Sequence, residues 1–443
     1  MDNQQTTDVW QLARFFLPLA LQAVAQAFSH PLVAMVASRG PGGPLNMAGL
    51  AQSGSVMMFL GMFAMYYMTT GMVFAKTRQG YKTFWRVCFW TGFTASLLQA
   101  ILCVPALSHI LFGKVMGLPT SIESPARITL FLTIPLQLIF FLRIPYQVAM
   151  YNGRATGRAS LATMGRIALT ALLVPVFCLL EWVGPIWAVV CLTIPVMLET
   201  VTSFLFAKPF LRTLPPATTQ PPKAGDMFLF SLPLSIGGYF LVLSAITLSA
   251  FIARAPRPEL MLPVYFITLG IVSPLSYAAT RLQAMVLAFP PSAKDNPPTL
   301  RFSVIAGIIL GLIPLIFIIS PLIEWYYVKL QKLAAADLDY VRLTAIALVT
   351  FPFAVALRAY GEGLAAWMKK PMAVLIGHGF YMMTVVACGF IALIAGLPGY
   401  MIGTIGLTLG SLASAIMIRK LLKTSPKKDI PVGQTTTAFG PLR

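Results

Sequence analysis

Apolar residues run along this chain in blocks of about 20, the length that spans a bilayer core as a helix. Short polar, proline- or glycine-bearing breaks separate them. Twelve blocks can be delimited, at 14–37, 47–75, 87–112, 127–151, 160–181 and 184–207, then at 227–253, 260–289, 302–323, 341–368, 372–395 and 399–418. None alternates apolar and polar residues with the period of two that a membrane β-barrel needs, so the spans are helices. Between the sixth and seventh spans, the prolines of LPPATTQPPK exclude a helix and leave a semi-rigid linker. The pattern predicts an all-α integral membrane protein with twelve transmembrane helices in two six-helix lobes. Its parts are a cytoplasmic N-terminus (1–13), an N-lobe (14–207), a cytoplasmic linker (208–226), a C-lobe (227–422) and a disordered cytoplasmic tail (423–443).

The polar positions that remain set the orientation. Basic residues gather in alternate loops, among them Lys76, Arg78, Lys82 and Arg86, then Arg154 and Arg158, then Lys369 and Lys370, and finally Arg419, Lys420 and Lys423. The positive-inside rule puts those loops and both termini in the cytoplasm. The polar start of the chain, with Asp2 and Asp8, lacks the basic character of a signal peptide, so the first span is expected to be retained.

Composition agrees. Of 443 residues, 58% are hydrophobic and 10% charged, against about 25% charged in soluble domains. The net charge of +19 would suggest nucleic acid in a soluble protein. Here it is explained by basic loops beside a membrane, and no nucleic-acid partner is expected. Five cysteines, Cys88, Cys103, Cys178, Cys191 and Cys388, lie in apolar sequence without a CxxC pair and read as packing residues. No P-loop, HExxH or GxSxG arrangement is present in a suitable context, so the chain is not expected to be an enzyme or to carry a cofactor or metal. Without an ATPase element, transport would draw on an ion or substrate gradient.

The two halves echo each other. A shift of 215 positions takes Pro18 to Pro233, Arg39 to Arg254 and Arg143 to Arg358, and it aligns FFLPL with FSLPL. Six spans per half give both halves the same orientation, a direct repeat about the membrane normal.

Candidate chemistry lies in the ionisable residues within spans, which are costly there and normally face a bundle interior or a water-filled cavity. Arg143, Arg166, Glu199, Arg281, Arg358 and Glu362 fall at similar distances from the cytoplasmic ends of their helices, with more cations than anions. Arg143 and Arg358, then Arg166 and Arg281, are the candidates for binding an anionic small molecule. Glu199, Glu362 and His30, the last just before Pro31, are candidates for coupling to a proton, or to a sodium ion in its place. Arg39 and Arg254 end the first and seventh spans and are candidates for an outer gate. Arg358 and Glu362, four apart, can pair on one helix. Pro135 to Tyr151 contains no acid, so Arg143 is not expected to be neutralised within its own helix and is expected to be the stronger anion site.

The six-plus-six layout over Leu12 to Leu422 resembles the superfamily that groups multidrug extrusion (MATE) transporters with oligosaccharide-lipid flippases. Within it, Ser29 to Arg39 (SHPLVAMVASR) is similar to the S-x-P…S-R motif of progressive-ankylosis (ANKH-type) membrane proteins. The resemblance implies rocking lobes and export of phosphate- or carboxylate-bearing anions. The sequence holds no N-x-S/T sequon, which favours an inner (plasma) membrane. Multidrug members of the superfamily typically carry an acid in the first span, and Arg14 to Ala37 has none. The expectation is a secondary transporter exporting an organic or phosphorylated anion by alternating access. The alternatives are a flippase for a lipid-linked pyrophosphate and a cation-drug antiporter.

Overall fold

The computed structural model describes residues 8–27, 29–217, 220–291, 298–319, 321–330, 333 and 335–424. The expected disordered tail beyond Thr424, the first seven residues, and the side chain of His30 lie outside the described residues. The described chain is all-helical. Its spans are α1 (Val9–Ala27 and Ser29–Ser38), α2 (Pro44–Leu60 and Met62–Phe74), α3 (Arg78–Leu102), α4 (Thr120–Leu132 and Ile134–Asn152), α5 (Thr156–Leu179) and α6 (Pro185–Arg212). They continue as α7 (Ala224–Ile252), α8 (Pro258–Thr280 and Leu282–Ala288), α9 (Pro298–Leu312), α10 (Leu338–Leu348 and Thr350–Trp367), α11 (Pro371–Ile394) and α12 (Gly399–Thr424). Among the described residues, nine helices are long and apolar enough to cross a membrane, or up to twelve if each bent pair is one span.

The ends of the helices follow local chemistry. Prolines open α2, α6, α8 and α11 at their first turns, where a missing N–H costs nothing. Thr77 caps α3 by accepting a hydrogen bond from the Gly80 N–H at 3.2 Å. Gly184, at φ 104°, opens α6 and donates to the Val36 carbonyl at 2.9 Å. A Cβ on neighbouring Gly40 would collide with the Gly184 backbone, so this close approach requires glycine.

Three spans are bent, and the breaks are satisfied internally as a membrane demands. α2 turns by 41° at Gly61, and α4 turns by 45° at Thr133. At the second break Pro135 has no N–H to give. Thr133 donates back to the Thr129 carbonyl at 2.9 Å, and Gln99 of α3 donates to the Leu130 carbonyl at 2.8 Å and to the Thr133 hydroxyl at 3.0 Å. α3 differs most from the expected 87–112. It starts at Arg78, which places Lys82 and Arg86 on the helix, and the chain turns by 86° after Leu102 into Pro105–Ser108 and a π-helical segment, His109–Val115. Pro105 is the reason: it cannot continue the hydrogen-bond ladder, and Val104 before it is forced into extended geometry, at φ −57° and ψ 131°.

The chain forms two compact units whose boundaries fall inside α1 and α7, not at the linker. Among the described residues, one runs from Ala25 to Leu232, and the other comprises Asp8 to Val24 and the residues from Pro233 to Thr424. In the first unit, Tyr67, Phe84, Phe141 and Met227 are buried in one cluster, and Val33, Val36, Val174 and Phe177 in another. The start of α7 belongs here, with Phe228 stacked on Phe63 at 5.6 Å between ring centroids and Phe230 edge-on to Phe74 at 5.2 Å. The linker is strapped to α3: Arg78 N–H donates to the Pro215 carbonyl and Ala217 N–H to Gln79 Oε1, both at 2.8 Å. In the second unit, α12 packs on α11 and α10 around Leu248, Met261, Tyr265, Tyr381 and Val385. The start of α1 joins it through Phe15 on Phe289 at 5.5 Å and Phe16 on Phe302 at 5.6 Å. Large apolar side chains face outward, Leu179 at 83% exposure and Ile394 at 72%, as lipid contact requires. Between apolar helices in lipid, such close packing replaces the hydrophobic effect as the cohesive force.

Candidate functional site

Each unit holds one buried cluster of ionisable residues. In the first unit it forms where α4, α5 and α6 meet. Glu199 of α6 is fully buried. Its Oε2 accepts from Nη1 of Arg143 on α4 and from Nη1 of Arg166 on α5, the latter at 3.2 Å. Its Oε1 accepts from Thr163 Oγ1 at 2.5 Å and from Gln147 Nε2 at 3.4 Å. The two carboxylate oxygens are thus divided, one held by cations and the other by neutral donors. Arg143 also lies over the Phe140 ring, with Cζ 5.3 Å from its centroid. Local spacing presents these groups together: Gln147 follows Arg143 by one turn, and Thr163 precedes Arg166 by one turn, on the faces that meet α6.

Arg143 meets no acid on its own helix, as expected, and its carboxylate arrives from α6, 56 residues later in the chain. Only the packing of α6 against α4 brings them together, and no local spacing encodes that.

The second cluster is built by α10, α11 and α12. Arg358 Nε lies 3.2 Å from Glu362 Oε1 one turn along α10. The same oxygen is 2.8 Å from His378 Nε2 of α11. Arg358 Nη1 reaches Ser411 Oγ of α12 at 3.5 Å, and its Cζ lies 5.4 Å from the Tyr381 ring centroid. His378 is fully buried, and its Nδ1 has no hydrogen-bond partner. The ring fits because α7 carries glycine opposite it: a Cβ on Gly237 would sit 2.6 Å from that nitrogen.

His378 was not legible as a site residue. It lies 16 positions from Glu362 and on another helix, and the only signal was a histidine in an apolar run. Gln147 and Thr163 also went unread, although each stands one turn from an arginine already singled out. Arg281 occupies the break between the two pieces of α8 and is half-buried. Arg39 is exposed at the end of α1. Arg254 is exposed at the end of α7 and donates to the Ala250 carbonyl of its own helix at 2.7 Å, a C-terminal capping contact. Arg154, in the loop after α4, has its guanidinium pulled below its ordinary range by burial.

No protein-family model and no curated protein sequence matches the chain. Solved structures do. A MOP superfamily transporter from Pyrococcus furiosus, described as having a binding pocket of reversed polarity, is similar over 94% of this chain and 95% of its own, at 14% identity and a TM-score of 0.69. A eukaryotic MATE transporter is similar over the same shares at 15% identity and a TM-score of 0.70. A MATE solved in complex with MaL6 is similar over 94% of this chain and 97% of its own, at 15% identity and a TM-score of 0.71. The fold is that of the MATE transporters of the MOP superfamily. The expected fold class and superfamily likeness hold across nearly the whole chain. Within the MATE fold the two clusters occupy corresponding spans, since Arg143 lies in the fourth helix of the first half and Arg358 in the fourth helix of the second.

Proposed function

We propose that this protein is a secondary transporter that exports an organic or phosphorylated anion by alternating access. The observation that carries this reading is the cluster of two arginines on one buried glutamate. It leaves a surplus of positive charge deep within apolar helices, where an uncompensated charge is costly and a bound anion would offset it. Guanidinium forks suit carboxylate and phosphate oxygens, because their donors match those planar geometries. The MATE-type fold supports a transporter driven by a gradient. A cation-drug substrate fits poorly with arginines at this depth, and a first span without an acid weakens the usual carboxylate route further.

In this reading Arg143 and Arg166 bind the anion, with Arg358 and Arg281 contributing from the second half. Glu199 and Glu362 couple transport to an ion, and Arg39 and Arg254 line the outer mouth. The lobes at 14–207 and 227–422 rock about the linker, with both termini on the cytoplasmic side of an inner membrane. The test is efflux of a panel of labelled carboxylates, phosphate esters and cationic dyes from proteoliposomes under set proton and sodium gradients. Efflux of an anion that is lost in Arg143→Met/Arg166→Met supports the reading. Efflux of cations alone overturns it.

A further inference from the structure

The first cluster is already loaded with an oxyanion, and that oxyanion is Glu199. Both guanidinium groups close on one atom, Oε2, while Oε1 is held separately by Thr163 and Gln147. Each guanidinium carries five N–H donors, more than one carboxylate oxygen can use. Arg143 Nε has no hydrogen-bond partner. The pair can therefore hold a larger oxyanion than the one it holds now.

We propose that a substrate anion binds by taking the place of the Glu199 carboxylate on Arg143 and Arg166, and that Glu199 takes up a proton as it is displaced. Anion and proton then move together, in symport. This rests on the reading of the protein as an anion transporter and specifies its coupling.

The geometry gives the reason. An anion aimed at the point where both arginines converge meets Oε2, and two anionic oxygens in contact raise the proton affinity of the carboxylate. Once protonated, Glu199 can keep Oε1 between Thr163 and Gln147, so the acid stays anchored while Oε2 leaves the arginines. Charge balances across the step. Empty, the cluster holds two guanidinium groups and one carboxylate, a formal charge of about +1. Loaded with a monoanion, it holds two guanidinium groups, one neutral carboxyl and one anion, again about +1. The charge within the low-dielectric helices is unchanged, whereas a proton without an anion would raise it. The charged groups acting on Glu199 are Arg143 from α4 and Arg166 from α5. Pro44–Leu60 of α2, also packed on α6, contributes no titratable residue, and the only one in Ser29–Ser38 of α1 is His30, whose side chain is outside the described residues. In Thr120–Leu132 of α4, Arg127 lies two turns before the break, and Glu123 is engaged by His109 Nδ1 at 3.1 Å. Export then runs on the anion's own outward gradient and carries a proton with it, and an inward proton gradient opposes it.

Calorimetric titration of the purified full chain with methanesulfonate and with benzenesulfonate, strong-acid monoanions whose own charge stays constant, tests this in buffers of different ionisation enthalpy. Wild type is expected to take up one proton per anion, with affinity falling about tenfold per pH unit once Glu199 is ionised. Glu199→Gln is expected to bind without proton uptake and without pH dependence. Binding by wild type with no proton uptake would mean that the anion sits beside Glu199; the symport inference then fails and anion transport stands. Binding unchanged in Arg143→Met places the anion elsewhere and also overturns it. If neither anion binds to wild type, the anion reading falls and the inference with it. Should Glu199→Gln fail to fold, the proton count on wild type still decides.

Discussion

The two buried clusters start from arginines at corresponding places and satisfy them in opposite ways. Arg143 takes its acid from another helix, α6, and shares it with a second cation. Arg358 takes its acid from its own helix, one turn on, and shares it with a histidine. On α12, the counterpart of α6, the residue that reaches Arg358 is Ser411, a neutral group. The first cluster is thus a three-helix ion bridge with surplus positive charge. The second is a one-helix ion pair of one cation and one anion with polar support. A repeat that duplicates the arginine but not its counter-ion leaves one half free to specialise in charge recognition. A carboxylate held across helices is also one that helix movement can release, and a carboxylate on the same turn is not.

The sharpest way to break this comparison is Glu199→Leu. It strands two buried cations at once, and losing one partner of a buried pair costs roughly 3–5 kcal/mol. Folded yield in detergent should collapse, by size-exclusion chromatography. The triple replacement Arg143→Met/Arg166→Met/Glu199→Leu should then recover most of that yield, because swapping a whole buried ionic group for apolar residues is often neutral. The recovered protein should bind no anion. Anion flux in the triple variant would make the cluster purely structural.

Arg358→Met comes next. It leaves Glu362 with His378 alone, whose Nε2 stays within hydrogen-bond distance of Oε1 at 2.8 Å. The expected loss is about 2–3 kcal/mol, below the full stranded-charge figure. Thermal unfolding of Arg358→Met beside Arg358→Met/His378→Phe checks this, and equal losses in the two would remove His378 from the account.

Arg143→Met is expected to cost less, about 1–2 kcal/mol, since Glu199 keeps Arg166, Thr163 and Gln147. If Arg143→Met proves more damaging than Arg358→Met, the order of the two clusters is reversed and the shared-carboxylate account fails. The smallest effect belongs to Ser411→Ala, which removes one long hydrogen bond and should cost about 0.5 kcal/mol. Unfolding midpoints in one detergent would rank all of these.

Much of the fold was legible because the bilayer imposes a single length scale. Runs of about 20 apolar residues read as spans without any knowledge of packing. The repeat was legible because proline and arginine are scarce in such runs, so Pro18 with Pro233 and Arg143 with Arg358 stood out. The turn after Leu102 was hidden: Val104-Pro105 breaks the ladder, but the sequence on either side stays apolar, and hydropathy does not register direction. In the sites, pairs on one helix could be read and pairs between helices could not. Arg358 with Glu362 follows from a four-residue spacing, whereas Arg143 with Glu199 and Glu362 with His378 depend on which faces meet. No single-sequence period carries that.

The unit boundaries at Val24 and Leu232 set a problem for the ribosome. The first part of α1 belongs with partners that are made only several spans later, since Phe15 and Phe16 rest on Phe289 and Phe302. For much of synthesis Val9 to Val24 waits without the neighbours that will enclose it. The opening of α7, by contrast, finds Phe63 and Phe74 already in place. The nascent chain therefore closes its first unit while extending into its second, and completes the second only by gathering in its own beginning. Truncation after residue 232 should leave a stable core with a loose N-terminal strand of helix, which a protease could trim.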